Sequence, residues 1–468
     1  MPKFFLLSLG CDKNLVDSEV MLGSLVKDDH SLALTPQEAD IIIVNTCAFI
    51  GPAKKESIDT ILELAEYKKS GNAKVLVVAG CLAQRYHEEL KNEIPEIDLF
   101  VGTGEYAEIV SVINNNFRER KLSRPEFAYT EFTPRINTQP KHRAYLKVAE
   151  GCSTGCAFCI IPKLRGGAKS RAIQDVVNEA KTLVSHGVQE LLVVAQNLTS
   201  YGFDRDKTYW LASLLRELNQ LDCKWIRLHY CYPDNFSDEL IRIVSDSEKI
   251  CHYIDIPFQH VNDEVLQRMN RRGTTKSHIL TLIDKLRAFI PDVSIRSSFI
   301  TGFPGETESQ FEELKEFIIS AKLDHVGVFP YSDEEGVLSE KLDGHLPEEI
   351  RIQRAEELMK IQQAISRDNL RKYIGTELEI VVEEEQQTDG KKLFIGRSQF
   401  QAPEVDGTVI IDQGSAQTGT FAKVKIEETL DYDLIGSVIP SLRAHVIPAP
   451  RFRGVQAPAG ISPSSLRA

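Results

Sequence analysis

The sequence predicts an α/β protein in three folded parts: an N-terminal doubly wound α/β domain, a central partial (β/α) barrel and a C-terminal small β-barrel. Three patterns predict it. Apolar runs alternate with helix-like segments over residues 1–120. Six strand-like segments alternate with helices between 145 and 331. From Thr376 onward short strands are separated by Gly and Asp turns. The boundaries read as 1–120, 138–372 and 373–440, with a tail over 441–468. A chain of 468 residues accommodates this by length.

Composition narrows the class. Hydrophobic residues make up 42% and charged residues 26%, as in ordinary globular protein. No basic segment followed by an apolar run opens the chain, and no apolar stretch is long enough to span a bilayer. The expectation is therefore a cytoplasmic protein without a membrane partner, in which clustered thiols read as metal ligands. A net charge of −13 argues against a general nucleic-acid binder.

In the first part, the strands are Phe4–Leu9, Ile41–Val44, Val75–Val78 and Leu99–Val101, with helices near 14–27, 52–69 and 103–116. Continuous apolar runs of this kind are buried parallel strands. Cys11, Cys47 and Cys81 each follow one of the first three strands. Open α/β sheets bind ligands beyond the carboxyl ends of their strands, so these thiols can meet at one edge. The alternative is three separately packed thiols. Asn14 and Asp17 either orient this loop or cap the following helix, and capping is the simpler role.

Residues 118–143 are rich in Arg, Lys, Pro and Thr and read as a surface connection. The central strands fall at 145–149, 189–195, 225–230, 253–257, 293–300 and 325–331. Gly151-Cys-Ser-Thr-Gly-Cys-Ala-Phe-Cys159 follows the first of them. Its three cysteines, Cys152, Cys156 and Cys159, offer soft thiolates with no fourth cysteine nearby. That set fits a 4Fe–4S cube with one open iron, as against a structural zinc knuckle. Gln196 and Asn197 end the second strand, as ligand contacts or a polar turn. His260 ends the fourth, where a structural role outweighs a catalytic one. Gly302 and Gly305 form a Gly-x-Pro-Gly turn after the fifth, before a helix that Thr307 or Glu306 caps. Arg165–Arg171 reads as a flexible, solvated basic segment, or as a screen for the cluster loop. Cys223, Cys231 and Cys251 read as packed thiols.

The C-x3-C-x2-C spacing resembles the signature of the radical S-adenosylmethionine (SAM) enzymes. Ser8-Leu-Gly-Cys-Asp-Lys-Asn-Leu-Val-Asp-Ser-Glu19, Asn45-Thr-Cys47 and Ala79-Gly-Cys81 resemble the cysteine motifs of the methylthiotransferases. The first of these, and Asp255-Ile-Pro-Phe-Gln-His260, are closer to the branch that modifies a ribosomal protein than to the tRNA-modifying branch. Gly396–Gly407 is similar to that branch's TRAM domain. The resemblance covers residues 1 to about 440. It implies two 4Fe–4S clusters, one on Cys152, Cys156 and Cys159 and one on Cys11, Cys47 and Cys81. It also implies SAM beside Gln196, Asn197, Gly302 and Gly305. The implied reaction places a methylthio group on the β-carbon of an aspartate of small-subunit ribosomal protein twelve, with flavodoxin or ferredoxin as reductant. No protein side chain is assigned as a catalytic group, because the cofactor carries the radical chemistry. The alternatives are a tRNA adenosine methylthiotransferase and a non-catalytic iron–sulfur or electron carrier.

TRAM modules commonly bind RNA, yet Thr376 to Pro440 holds thirteen Asp or Glu against five Lys or Arg. RNA binding needs a basic face, so tRNA is an unlikely partner. Glu383, Glu384, Glu385, Asp389, Glu404 and Asp406 are expected to form an acidic surface that steers a basic protein substrate. Beyond Pro440 there is no Asp or Glu, and a Pro-, Ala- and Ser-rich disordered tail is expected.

Overall fold

The computed structural model describes residues 1–115, 122–123, 129–388 and 390–440. The tail, Asp389 and part of the 118–143 connection lie outside the described residues.

The N-terminal sheet contains β1 (Lys3–Ser8), β2 (Ser31–Leu32), β3 (Ile41–Thr46), β4 (Val75–Gly80) and β5 (Leu99–Val101). All pairs are parallel, in the order β2-β1-β3-β4-β5. Side chains alternate between faces along a strand. Ile42, Val44, Leu76 and Val78 pack with Ile61, Leu64 and Leu82 of the helices Gly51–Ala65 and Cys81–Glu93. Ile41, Ile43, Val77 and Ala79 pack with Val16, Val20 and Met21 of the helix Asp12–Lys27. Burial on both faces makes the layer doubly wound.

The central sheet is six parallel strands in the order β13-β12-β11-β10-β9-β6, open rather than closed. Its members are β6 (Arg143–Lys147), β9 (Glu190–Val194), β10 (Trp225–Leu228), β11 (Ile250–Asp255), β12 (Ser294–Thr301) and β13 (His325–Pro330). β7 (Ala149–Glu150) and β8 (Lys169–Ser170) pair antiparallel beside the cysteine loop. Ala144, Leu146, Leu191 and Val193 face the surrounding helices. Tyr145, Leu192 and Val194 face the other way and pack on the helix Asp12–Lys27. That helix is thus held between the two sheets, which buries even its Asp17 and Glu19.

The described part of the 118–143 connection runs over the surface, as expected, but is anchored at two points. Tyr129 is buried, and Arg135 ties Glu19 of the first domain to Glu179 of the second. The carboxylates that it needs lie 116 and 44 residues away in sequence, so its local polarity gave no sign of burial. The long helix Glu348–Leu370 lies along β13, with Gln362 donating to Leu323 O and Arg351 to Tyr331 O.

The last domain is a closed barrel of β14 (Glu377–Thr388), β15 (Lys391–Arg397), β16 (Val409–Gln413), β17 (Phe421–Thr429) and β18 (Leu434–Val438). Its β15–β16 loop inserts against the inner face of the central sheet. Arg227 donates to Gln399 O at 2.8 Å, Ser294 to Phe400 O at 3.2 Å and Tyr253 to Asp406 at 2.7 Å. Beneath it Glu190 accepts from both Arg227 and Arg397. The motif Gly396–Gly407 is therefore the plug that fixes this barrel to the core.

This docking corrects the acidic-surface expectation for three residues. Glu383 is bound by Arg143 and Arg397, Glu404 by Arg143, and Asp406 by Arg296. Glu383 and Asp406 are drawn into the seam, while Glu404 is paired yet stays exposed at its edge. Glu384 and Glu385 remain exposed.

Candidate functional site

Each cysteine of the first triple follows the carboxyl end of a parallel strand. Gly10 and Gly80 sit immediately before Cys11 and Cys81 with φ of +87° and +92°. An added Cβ at Gly10 would lie 2.8 Å from Cys47 Cβ, and one at Gly80 would lie 2.3 Å from Asn45 Oδ1. The three loops therefore pack against one another at one edge of the sheet. The thiols feel each other: Cys81 is pushed up to about 12, mostly by burial, with Cys11 and Cys47 adding to the rise and Arg165 opposing it. Asn14 orients the group. Its Nδ2 donates to Leu9 O at 2.7 Å and Thr46 O at 3.0 Å, tying the Cys11 and Cys47 loops together. Neither Asn14 nor Asp17 caps the helix, which has no side-chain cap.

The second triple sits on the loop after β7. Gly151 has φ +71°, and a Cβ there would lie 2.3 Å from Gly167 O and 2.6 Å from Gly166 O. Glycine alone permits this approach of two backbones. Cys152 N donates to Gly166 O at 3.1 Å. From the far side Asn270 donates to Gly155 O at 2.7 Å, and Ala157 N to Met269 O at 2.9 Å. Arg271 reaches Cys156 Sγ at 3.8 Å. Burial raises Cys156 and Cys159, the latter to about 12, and the neighbouring thiols add to both shifts.

Among the described residues no three His, Cys, Asp or Glu side chains are arranged to hold one metal ion. Two buried polar atoms lacking partners also lie near the second triple: Gln196 Oε1 and Arg271 Nε. Such atoms are expected to meet a ligand.

The four expected SAM contacts separate. Gln196 donates to Glu150 at 2.6 Å and keeps its other amide atom unpaired. Asn197 is occupied, donating to Thr154 Oγ1 at 2.9 Å and accepting from Ser200 N. Gly302 and Gly305 meet protein: a Cβ at Gly302 would strike Arg351, and one at Gly305 would strike the Arg268 guanidinium. His260 is wholly buried, accepting from Asn262 N and facing Glu306 at 3.4 Å. Glu306 holds Gly302 N and Arg354, while Thr307 supplies the helix cap. Cys223, Cys231 and Cys251 are buried apart from both triples.

The largest departure concerns Arg165–Arg171. Arg165 is buried, donating to Asn14 and Asp17 from one nitrogen and to Glu150 from the other. Arg171 is buried between Asp175 and Glu179. Lys147 completes the first group, pairing with Asp17 and Glu150. Together Arg165 and Lys147 bring Glu150 down to about 2, against the opposing effect of burial. Sequence reading missed Lys147, Glu150 and Arg271. The signal for the first two was a pair of charged residues closing an apolar strand just before the cysteine loop.

Comparison with known proteins agrees with this geometry. Residues 3–102 match the Uncharacterized protein family UPF0004, residues 146–318 the Radical SAM superfamily and residues 374–439 the TRAM domain. The chain is 48% identical over 450 residues to ribosomal protein uS12 methylthiotransferase RimO of Myxococcus xanthus, covering 95% of this chain and 94% of that one. The chain belongs to the RimO family. The relative of that name from Clostridioides difficile is 46% identical, covering 94% of this chain and all of its own length. Among solved structures, the radical SAM methyltransferase TsrM of Kitasatospora setae aligns with a TM-score of 0.54 at 14% identity, over 70% of this chain and 75% of that one. That likeness concerns the fold. RimO-family membership brings with it the radical SAM class, and with that class a 4Fe–4S cluster and SAM.

Proposed function

We propose that this chain is the ribosomal protein uS12 methylthiotransferase of its cell, with two 4Fe–4S clusters on the two cysteine triples. It modifies the β-carbon of an aspartate of uS12. The observation that carries the reading is the placing of both triples at one seam, joined by a continuous set of buried side chains from Asn14 through Arg165 to Glu150. A sulfur-donating group and a SAM-cleaving group must serve one substrate atom, so they must share one face.

When bound, the second cluster supplies the electron that cleaves SAM, and the first handles the sulfur to be transferred. The protein's part is holding and shielding. Cys152, Cys156 and Cys159 hold one cluster, and Cys11, Cys47 and Cys81 the other. Gln196 Oε1, buried without a partner and with its amide nitrogen held by Glu150, would be the atom to meet SAM. Asn197 shapes the cluster loop through Thr154. Gly302 and Gly305 let the turn after β12 pack on Arg351 and Arg268. The helix Asp12–Lys27 fills the inner face of the open sheet and excludes water from the seam.

An enzyme of this substrate works where ribosomes are, in the cytoplasm. Among the described residues no helix is long and apolar enough to cross a membrane. Flavodoxin or ferredoxin supplies electrons. The test is anaerobic reconstitution of the purified chain with iron, sulfide, SAM and reductant, with uS12 and bulk tRNA offered together. Methylthiolated uS12 and unmodified tRNA are expected. Modification of tRNA alone refutes the assignment.

A further inference from the structure

Among the described residues, every buried arginine but one pairs with an Asp or Glu side chain. The exception is Arg271, only 2% exposed. Its Nη2 donates to Pro257 O at 2.8 Å, and its Nη1 reaches Cys156 Sγ at 3.8 Å. The guanidinium lies 4.2 Å from the centre of the Tyr232 ring, and its Nε is buried without a partner. A buried charge is costly unless an opposite charge lies against it. The turn that carries Arg271 is fitted to the cysteine loop. Asn270 takes a left-handed φ of +57°, which few side chains adopt. Met269 O accepts from Ala157 N at 2.9 Å, and Asn270 Nδ2 donates to Gly155 O at 2.7 Å. Three successive residues thus hold Gly155, Cys156 and Ala157, with the cation set on the sulfur in the middle.

We propose that Arg271 is a positioning residue that serves as the counter-charge of the group held by Cys152, Cys156 and Cys159 and makes that group easier to reduce. The inference rests on the cluster reading of the second triple given above. Thiol ligands are deprotonated when they bind metal, so a loaded loop gathers negative charge on its three sulfurs. A guanidinium keeps its positive charge at any working pH. The single electron delivered by the reductant adds one more negative charge, and a fixed cation on a ligand sulfur offsets it. Net charge and hydrogen bonds to the sulfurs are among the determinants of iron–sulfur potentials. The other anion that could meet Arg271, through its unpartnered Nε, is the carboxylate of SAM. The contact to Cys156 Sγ is made without SAM, and it favours the cluster.

The test uses the full chain, anaerobically reconstituted, carrying Arg271→Gln or Arg271→Lys. Redox titration followed by electron paramagnetic resonance reads each group, first without SAM and then with it. Signals are assigned by replacing one cysteine triple at a time with Ala. Without SAM, Arg271→Gln should move the second triple's midpoint to a more negative potential and leave the first triple's in place. Arg271→Lys, which keeps the charge, should recover most of that shift. An unmoved second midpoint, or equal movement of both groups, overturns the proposal. A shift seen only with SAM present also overturns it, and assigns Arg271 to the SAM carboxylate instead. If the glutamine variant does not hold the second group, the lysine variant decides. Iron kept on the second triple near the wild-type midpoint is the expected result, and loss of that iron overturns the proposal. Modification of tRNA in place of uS12, or a wild-type chain whose single cluster sits on the second triple, contradicts the proposed function and not the role of Arg271.

Discussion

Gly151 shows how narrow the tolerance at the cysteine loop is. An alanine there would place Cβ 2.3 Å from one backbone carbonyl and 2.6 Å from the next, neither of which is a flexible chain end. Gly151→Ala should therefore lose the iron held by Cys152, Cys156 and Cys159 while keeping that of the first triple. Gly187→Ala is the control, since Gly187 has φ +100° but open space around it. Iron content of the two reconstituted variants checks this; equal retention in both would remove the steric argument. Replacing Cys11, Cys47 and Cys81 with Ala should abolish methylthiolation but leave SAM cleavage measurable. Replacing Cys152, Cys156 and Cys159 should abolish both. The six cysteines were legible because strand-end position and short spacing are local signals. Arg165 was not, because its partners Asn14 and Asp17 lie 151 and 148 residues away.

At the scale of elements, the loop between β15 and β16 decides how the last barrel sits. Glu190 and Arg227 are wholly buried, and Arg397 is 1% exposed. Arg397→Met leaves Glu190 and Glu383 with fewer cations, and breaking a buried pair from one side costs about 3–5 kcal/mol. A lower melting temperature is expected, largely restored by adding Glu190→Gln. If the double variant is no more stable than the single, the pairing carries no such weight. Burial alone would raise Glu190, but Arg397 and Arg227 bring its carboxyl down from 4.5 to about 2. A depressed carboxylate stabilises the fold fully above its unfolded value and loses that contribution as pH falls through its folded one. The stability gap between wild type and Glu190→Gln should thus close between 4.5 and about 2. Denaturation curves across that window measure it. The strands and helices of the first two domains followed from apolar runs alternating with helix-like segments; the order of the strands in each sheet did not. The pairing of Glu383, Glu404 and Asp406 did not, because charge counted along a chain says nothing of cations contributed by β6 and β12.

The whole molecule is three domains closed on one seam. The helix Asp12–Lys27 fills the open sheet from one side and the β15–β16 plug from another. The exposed acidic surface of the last barrel includes Glu384, Glu385, Glu404, Asp412, Glu427 and Glu428. A basic ribosomal protein should be steered by such a face, and steering weakens with salt. Glu384→Lys with Glu385→Lys should slow uS12 modification several-fold at low salt and leave uncoupled SAM cleavage intact. A rate indifferent to both the reversal and salt would place recruitment elsewhere. The central claim is that this chain modifies uS12. Mass spectrometry of uS12 and of total tRNA, from cells with and without the chain, tests it most directly. The account predicts that the methylthio group on a uS12 aspartate disappears with the chain while tRNA modifications stay unchanged. An unaltered uS12 together with a lost tRNA methylthio group would contradict it.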